Sequence, residues 1–212
     1  MRKILDGVLR FQKEVFPSQR DHFKKLASFQ SPETLFITCS DSRVVPNLIT
    51  QTEPGELFLI RNAGNIVPPY GETQGGVSAT IEYAVIALGV KHIIVCGHTD
   101  CGAMKGILHP EKLKEMPTVA AWLHHGDAAR QVVQTAYPEL QGDDRLPAIT
   151  RENVVAQLRN LTTHPCVAAR QARGDLDLHA WVYNIGSGEV LMYDGDSRAF
   201  APLGTMQSAV AD

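Results

Sequence analysis

The sequence predicts an α/β fold with a mostly parallel central β-sheet flanked by helices, an antiparallel edge strand and an N-terminal helical arm. Three observations carry that reading. Short, almost wholly apolar runs stand at "TLFIT" (34–38), "ELFLI" (56–60) and "HIIVC" (92–96), as expected of strands buried on both faces of a parallel sheet. Helical segments fall between and after them, over about residues 19–29, 75–88, 118–136 and 150–163, and such alternation builds parallel sheets through crossover helices. The last two strand candidates, "LHAWVYN" (178–184) and "EVLMYD" (189–194), are separated only by "IGSG", a hairpin signal that turns one edge antiparallel.

The chain opens "MRKILDGVLRFQKEVF", where Ile4, Leu5, Val8, Leu9, Val15 and Phe16 recur on one helical face. That stretch lacks the uninterrupted apolar core of a signal peptide, so residues 1–30 are expected to form a helical arm and the protein to be cytoplasmic. The helix over 150–163 carries Thr150 and Asn153 near its start. No internal repeat, low-complexity segment or linker interrupts the 212 residues, which read as a single domain over 1–212. Hydrophobic residues make up 44% and charged residues 20%, ordinary globular composition with ample material for a core. A net charge of -3 argues against broad binding to nucleic acid or an acidic membrane surface. No apolar run approaches the roughly 18 residues of a membrane span.

Two polar clusters then stand out. The first strand runs into "LFITCSDSRVVP" and the third into "IIVCGHTDCGAMKGIL", so both clusters sit at carboxyl ends of strands, where open α/β sheets build their sites. Neighbouring strand ends would bring Cys39 close to His98 and Cys101. Thiolate and imidazole suit zinc, and three protein ligands leave a fourth position open for chemistry. Cys101 would also lie at a helix N-terminus, which favours its thiolate. Four cysteines in a reducing compartment point to metal or catalysis before disulfides. Spacing alone does not choose Cys101 over Cys96 as the companion of His98. Cys96, ending an apolar strand, and Cys166 otherwise read as core residues. His22, His92, His109, His124, His125, His164 and His179 read as surface or core, since none has a second ligand type at useful spacing along the chain.

Within "CSDSR", Asp41 and Arg43 are two apart and point to the same side of an extended segment. Arg43 would hold Asp41 ionised by charge and paired hydrogen bonds. The oriented carboxylate could then accept a hydrogen bond from a metal-bound hydroxide. A plain ion pair closing the strand-end loop is the competing structural reading.

"CSDSR" followed by "RNAGNIVPPYG", "GGVSATIEYAV" and "CGHTDCGAMKG" resembles the β-class carbonic anhydrases, most closely the bacterial members with plant-like active-site residues. The resemblance runs from about Phe11 through Tyr193. It implies one zinc ion per chain held by Cys39, His98 and Cys101, with Asp41 and Arg43 as the catalytic dyad. It also implies reversible hydration of carbon dioxide to bicarbonate and a proton by zinc-bound hydroxide. In the three-histidine carbonic anhydrases of another class, zinc lowers the pKa of bound water to about 7; two thiolates would make it less acidic here. The same resemblance places Gln30, Phe58, Tyr83 and the Gly102 amide around the substrate, the aromatics as a dry slot and Gln30 and the amide as donors to bicarbonate. Phe58 and Tyr83 as plain core, and Gln30 as a solvated helix end, are the alternatives. Two other functions share the scaffold: hydrolysis of carbon disulfide or carbonyl sulfide, and a non-catalytic zinc-stabilised assembly module. A structural zinc site would normally have four protein ligands, which disfavours the module.

Partners are expected to be the small-molecule substrate and further copies of the chain, as a homodimer or a higher even homo-oligomer. Gln30 precedes strand 34–38 and Cys39 follows it, so the two lie roughly 20–30 Å apart along an extended chain. Gln30 is therefore better placed to reach a partner chain's zinc, with the apolar arm packing across that interface. In bicarbonate-regulated relatives a tryptophan three residues before the first cysteine ligand and a glycine just before it help to form an inhibitory pocket. Phe36 and Thr38 stand there in this chain, which predicts an open site in which Arg43 keeps Asp41 off the metal. Arg61 matches an arginine common to both subgroups and does not discriminate.

Overall fold

The structure, a computed structural model, describes residues 1–72 and 75–206. The chain divides into two compact units, Met1–Ser31 and Pro32–Asp212. In the first unit a helix over Arg2–Arg10 continues through a wider π-type turn, Phe11–Val15, and a short helix, Phe16–Ser18, into a helix over Arg20–Leu26. The last of these is shorter than the 19–29 expected from pattern. None of the residues of helix Arg2–Arg10 is buried, and Ile4, Leu5 and Leu9 are 65%, 57% and 50% exposed. Phe16 and Phe23 stack within 5.3 Å, with Phe11 packed edge-on against both.

The second unit is built on a six-stranded sheet: β1 (Thr34–Cys39), β2 (Leu57–Asn62), β3 (His92–His98), β4 (Asp177–Tyr183), β5 (Val190–Asp194) and β6 (Ala199–Pro202). The spatial order is β2-β1-β3-β4-β5-β6. The first four strands are parallel and the last two antiparallel, so the edge expected to turn back does so with two strands instead of one. The extra strand, "AFAP", is four residues long and only partly covered, and it carried no alternation in the sequence.

β1 and β3 are the most deeply buried strands, as their unbroken apolar runs demand. One face packs Leu35, Ile37, Ile93, Val95, Ala180 and Val182 against Val154, Leu161 and Val167 of the flanking helices Leu146–Thr162 and Pro165–Ala172. Gly97 is required there by close approach: a Cβ would stand 2.9 Å from Val154 Cγ1. The other face carries a smaller cluster of Phe36, Ile94 and Cys96, with Trp181 edge-on to Phe36 at 6.0 Å.

The long helical segment expected over 118–136 is two helices, Pro117–Leu123 and Asp127–Ala136, joined by a tight turn at His124–Gly126. Gly126 lies against Ile107, so closely that a Cβ would meet its Cδ1 at 2.5 Å.

Strand order fixes where a site can form. After β1 the chain crosses to β2 on one side, then returns to place β3 on the other. The connections leaving β1 and β3 therefore diverge, and a crevice opens between their carboxyl ends. Cys39 ends β1 and His98 ends β3.

Candidate active site

Cys39, His98 and Cys101 meet in that crevice. Their ligand atoms all lie within 4.8 Å of one another, and the residues are 6%, 0% and 1% exposed. The two sulfurs are 3.9 Å apart. His98 Nδ1 lies 2.9 Å from the Thr99 carbonyl oxygen. A carbonyl can only accept, so Nδ1 carries the proton and Nε2 presents a lone pair. That Nε2 is buried and has no hydrogen-bond partner.

The donors around the sulfurs are backbone groups. Gly64 N–H points at Cys39 Sγ across 3.4 Å, and the Asp41 N–H also favours the Cys39 thiolate. The Ala103 and Met104 amides, in the first turn of helix Gly102–Leu108, do the same for Cys101. Gly64 has φ +82°, and a Cβ there would stand 2.9 Å from Ala103 Cβ, so only glycine brings this amide to the sulfur. The two sulfurs perturb each other in opposite directions. The hydrogen bond from Cys101 lowers the pKa of Cys39, while the Cys39 sulfur and burial raise that of Cys101. A divalent cation between them removes that conflict, and two sulfurs with an unpartnered imidazole nitrogen suit a borderline-soft ion. The residues present fit a metal.

Beside the cluster, Arg43 grips Asp41 through both carboxylate oxygens: Nε donates to Oδ1 at 2.9 Å and Nη2 to Oδ2 at 2.8 Å. The Arg43 backbone N–H adds a third bond to Oδ1 at 3.0 Å. These contacts hold the Asp41 carboxyl well below the usual carboxylate range. Asp41 Oδ2 remains 3.8 Å from His98 Nε2. Arg61 fastens the strand-end loop, donating from Nε to the Cys39 carbonyl at 3.1 Å and from Nη2 to the Asp41 carbonyl at 2.8 Å.

Sequence reasoning missed Asp100. Its Oδ2 accepts from Arg43 Nη1 at 3.0 Å, its carbonyl from Nη2 at 3.2 Å, and Lys105 bonds its other oxygen. Asp100 has φ 57°, a left-handed conformation that aspartate tolerates better than most residues. An aspartate in the tight turn after a strand was the available signal.

Cys96 lies apart from the cluster. It is fully buried beside Phe36 and Ile94, its thiol donates to the Gly97 carbonyl at 3.4 Å, and burial pushes its pKa up to about 12. Gly102 is the first residue of its helix, where the N–H has no intrahelical acceptor. Phe58 and Tyr83 meet each other with ring centroids 5.9 Å apart. Register, however, sets Phe58 beside Leu35 while Asn62 pairs with Cys39. The aromatic pair is thus displaced from the end of β1 by four residues, roughly 13 Å along the strand. Gln30 belongs to the N-terminal unit.

Comparison with known proteins places the chain in a family. A family model described as carbonic anhydrase matches residues 34–190. A carbonic anhydrase of Pseudomonas aeruginosa is 57% identical over 203 residues, covering 96% of this chain and 92% of the relative. The solved structure of the β-carbonic anhydrase CcaA superposes with a TM-score of 0.93 at 50% identity, covering 95% of this chain and 91% of that one. One of two tetrameric β-carbonic anhydrases from Sordaria macrospora gives a TM-score of 0.82 at 31% identity over 90% of this chain and 95% of its own. The chain belongs to the carbonic anhydrases, in their β class. It is an enzyme of that activity, and none of its described helices is long and apolar enough to cross a membrane.

Proposed function

We propose that the chain carries one zinc ion on Cys39, His98 and Cys101 and uses it for the reversible hydration of carbon dioxide to bicarbonate and a proton. The observation that carries this reading is the buried, unpartnered His98 Nε2 turned toward two sulfurs 3.9 Å apart. Zinc in such a site supplies Lewis acidity, lowering the pKa of water so that a nucleophile is available at neutral pH. The protein's own groups do the rest. The Thr99 carbonyl fixes the His98 tautomer. Arg43 keeps Asp41 ionised and fixed in orientation, so a remaining lone pair on the carboxylate could accept a hydrogen bond from a proton-bearing oxygen and orient it. The Gly102 N–H is available to an oxygen of bicarbonate. Four free thiols, two of them committed to the ion, fit a reducing cytoplasm. Stopped-flow hydration of carbon dioxide, with zinc quantified before and after chelation, tests the assignment. Activity that survives complete removal of zinc overturns it.

The functional unit is a dimer or a higher even oligomer of one kind of chain. Phe58 and Tyr83 are displaced from the cluster of their own chain, and helix Arg2–Arg10 buries no side chain. Both facts are accounted for if the partner's Gln30, Phe58 and Tyr83 complete the substrate slot and the apolar arms are covered in the assembly. Sedimentation at assay concentration is expected to show no monomer. Truncation of residues 1–30 is expected to abolish both association and activity. A catalytically competent monomer excludes shared sites.

A further inference from the structure

Two imidazoles converge at the end of the sheet opposite the Cys39–His98–Cys101 cluster. His92 opens β3, roughly 20 Å along the strand from His98. Parallel register sets His92 beside Asp177, and His179 follows two residues later on the same face of β4. His179 Nε2 lies 3.4 Å from His92 Nδ1, with ring centroids 5.5 Å apart. Asp177 Oδ2 lies 3.6 Å from the same His92 nitrogen. The side chains of His92 and Asp177 are 41% and 72% exposed, so an ion can reach them from solvent. Burial and the neighbouring His92 hold the His179 pKa below its usual value, which favours the neutral ring that a metal requires.

We propose that His92 and His179, with Asp177 beside them, form a second divalent-cation site that takes an imidazole-seeking ion such as nickel or zinc. Two nitrogens bound at about 2.0–2.1 Å with a near-tetrahedral angle stand about 3.3–3.4 Å apart. The structure holds Nδ1 and Nε2 at that separation. The competing use of the contact is a hydrogen bond between neutral imidazoles, but 3.4 Å exceeds the roughly 2.7–3.2 Å typical of N–H donors. Imidazole with carboxylate is a donor set for nickel, copper and zinc. With two protein nitrogens and one movable carboxylate, water fills the remaining positions, so this site exchanges its ion more readily than the thiolate centre.

The test is calorimetric titration of the purified protein with Ni2+, with zinc content measured before and after. The wild type is expected to bind one Ni2+ per chain in the micromolar range with its zinc retained. His92→Gln and His179→Gln are each expected to weaken Ni2+ binding by roughly tenfold or more, because chelation by two rings becomes single-point attachment. His109→Gln, which removes another partly exposed imidazole, leaves the binding unchanged. Because His92 is exposed, His92→Gln is expected to keep the wild-type Tm and hydration rate, and it decides the matter if His179→Gln is unstable. Absence of stoichiometric Ni2+ binding, or unaltered affinity in His92→Gln, overturns the proposal.

Discussion

Cys39→Ser, His98→Ala and Cys101→Ser are each expected to lose zinc and to lower hydration by roughly a thousandfold or more, since the ion's several kcal/mol of transition-state stabilisation goes with it. Three proposed ligands would leave no redundancy: removal of one would leave two donors in a pocket that excludes most solvent. Serine in place of either cysteine keeps the volume but exchanges a soft thiolate for a hydroxyl that does not ionise near neutral pH. His98→Ala also removes the buried lone pair and the Nδ1 bond to Thr99. Cys96→Ser is the internal control. Its thiol already donates to the Gly97 carbonyl, a bond a serine hydroxyl can keep, so zinc and activity are expected to persist. Metal analysis and stopped-flow rates on the four variants decide. Zinc kept by Cys101→Ser and lost from Cys96→Ser overturns the ligand assignment.

The carboxyl ends of β1 and β3 are more legible in the sequence than the rest of the molecule. β1 and β3 announce themselves because strands buried on both faces are continuous apolar runs, and the polar residues that end them mark the crevice. β6 is illegible in the sequence because four partly covered residues carry no period. Helix Leu146–Thr162 begins four residues before the pattern over 150–163, and Pro147 in its first turn is a start signal. The break at His124–Gly126 follows from packing against Ile107, a contact the local pattern does not encode. Pairings between distant residues depend on register, which only strand order supplies. His92 and His179 are 87 residues apart and read as unrelated until β3 and β4 lie side by side. Asp100 was hidden for a different reason: its role depends on where the Arg43 side chain ends.

Arg43→Ala is expected to lower kcat/KM by roughly a hundredfold or more with zinc retained, the scale on which a positioned proton-transfer group acts. In the wild type Arg43 occupies both oxygens of Asp41, yet Oδ2 stays only 3.8 Å from His98 Nε2. Released, the carboxylate would be free to approach the cluster and compete with water for an ion held by Cys39, His98 and Cys101. The charge effect has a definite sign. Arg43 lowers the Asp41 pKa, so the wild-type pair is intact at neutral pH and is lost only as pH falls far into the acid range. Wild-type activity should therefore decline gradually with pH along a single ionisation. Phe36 is fully buried against Trp181, the Thr38 hydroxyl donates to the Cys96 carbonyl at 2.8 Å, and Arg61 donates to the Cys39 and Asp41 carbonyls. A switch needs a ligand that prefers one state; with Phe36, Thr38 and Arg61 engaged in this way, bicarbonate is not expected to confer that preference. Asp100→Ala should fall between, since it frees Nη1 but leaves the bidentate grip on Asp41. Rates against pH for the wild type and both variants, with and without bicarbonate, test the whole account. Steep, cooperative loss in the wild type on leaving the alkaline range, deepened by bicarbonate, contradicts an open site. An Arg43→Ala enzyme as fast as wild type removes the dyad from the mechanism.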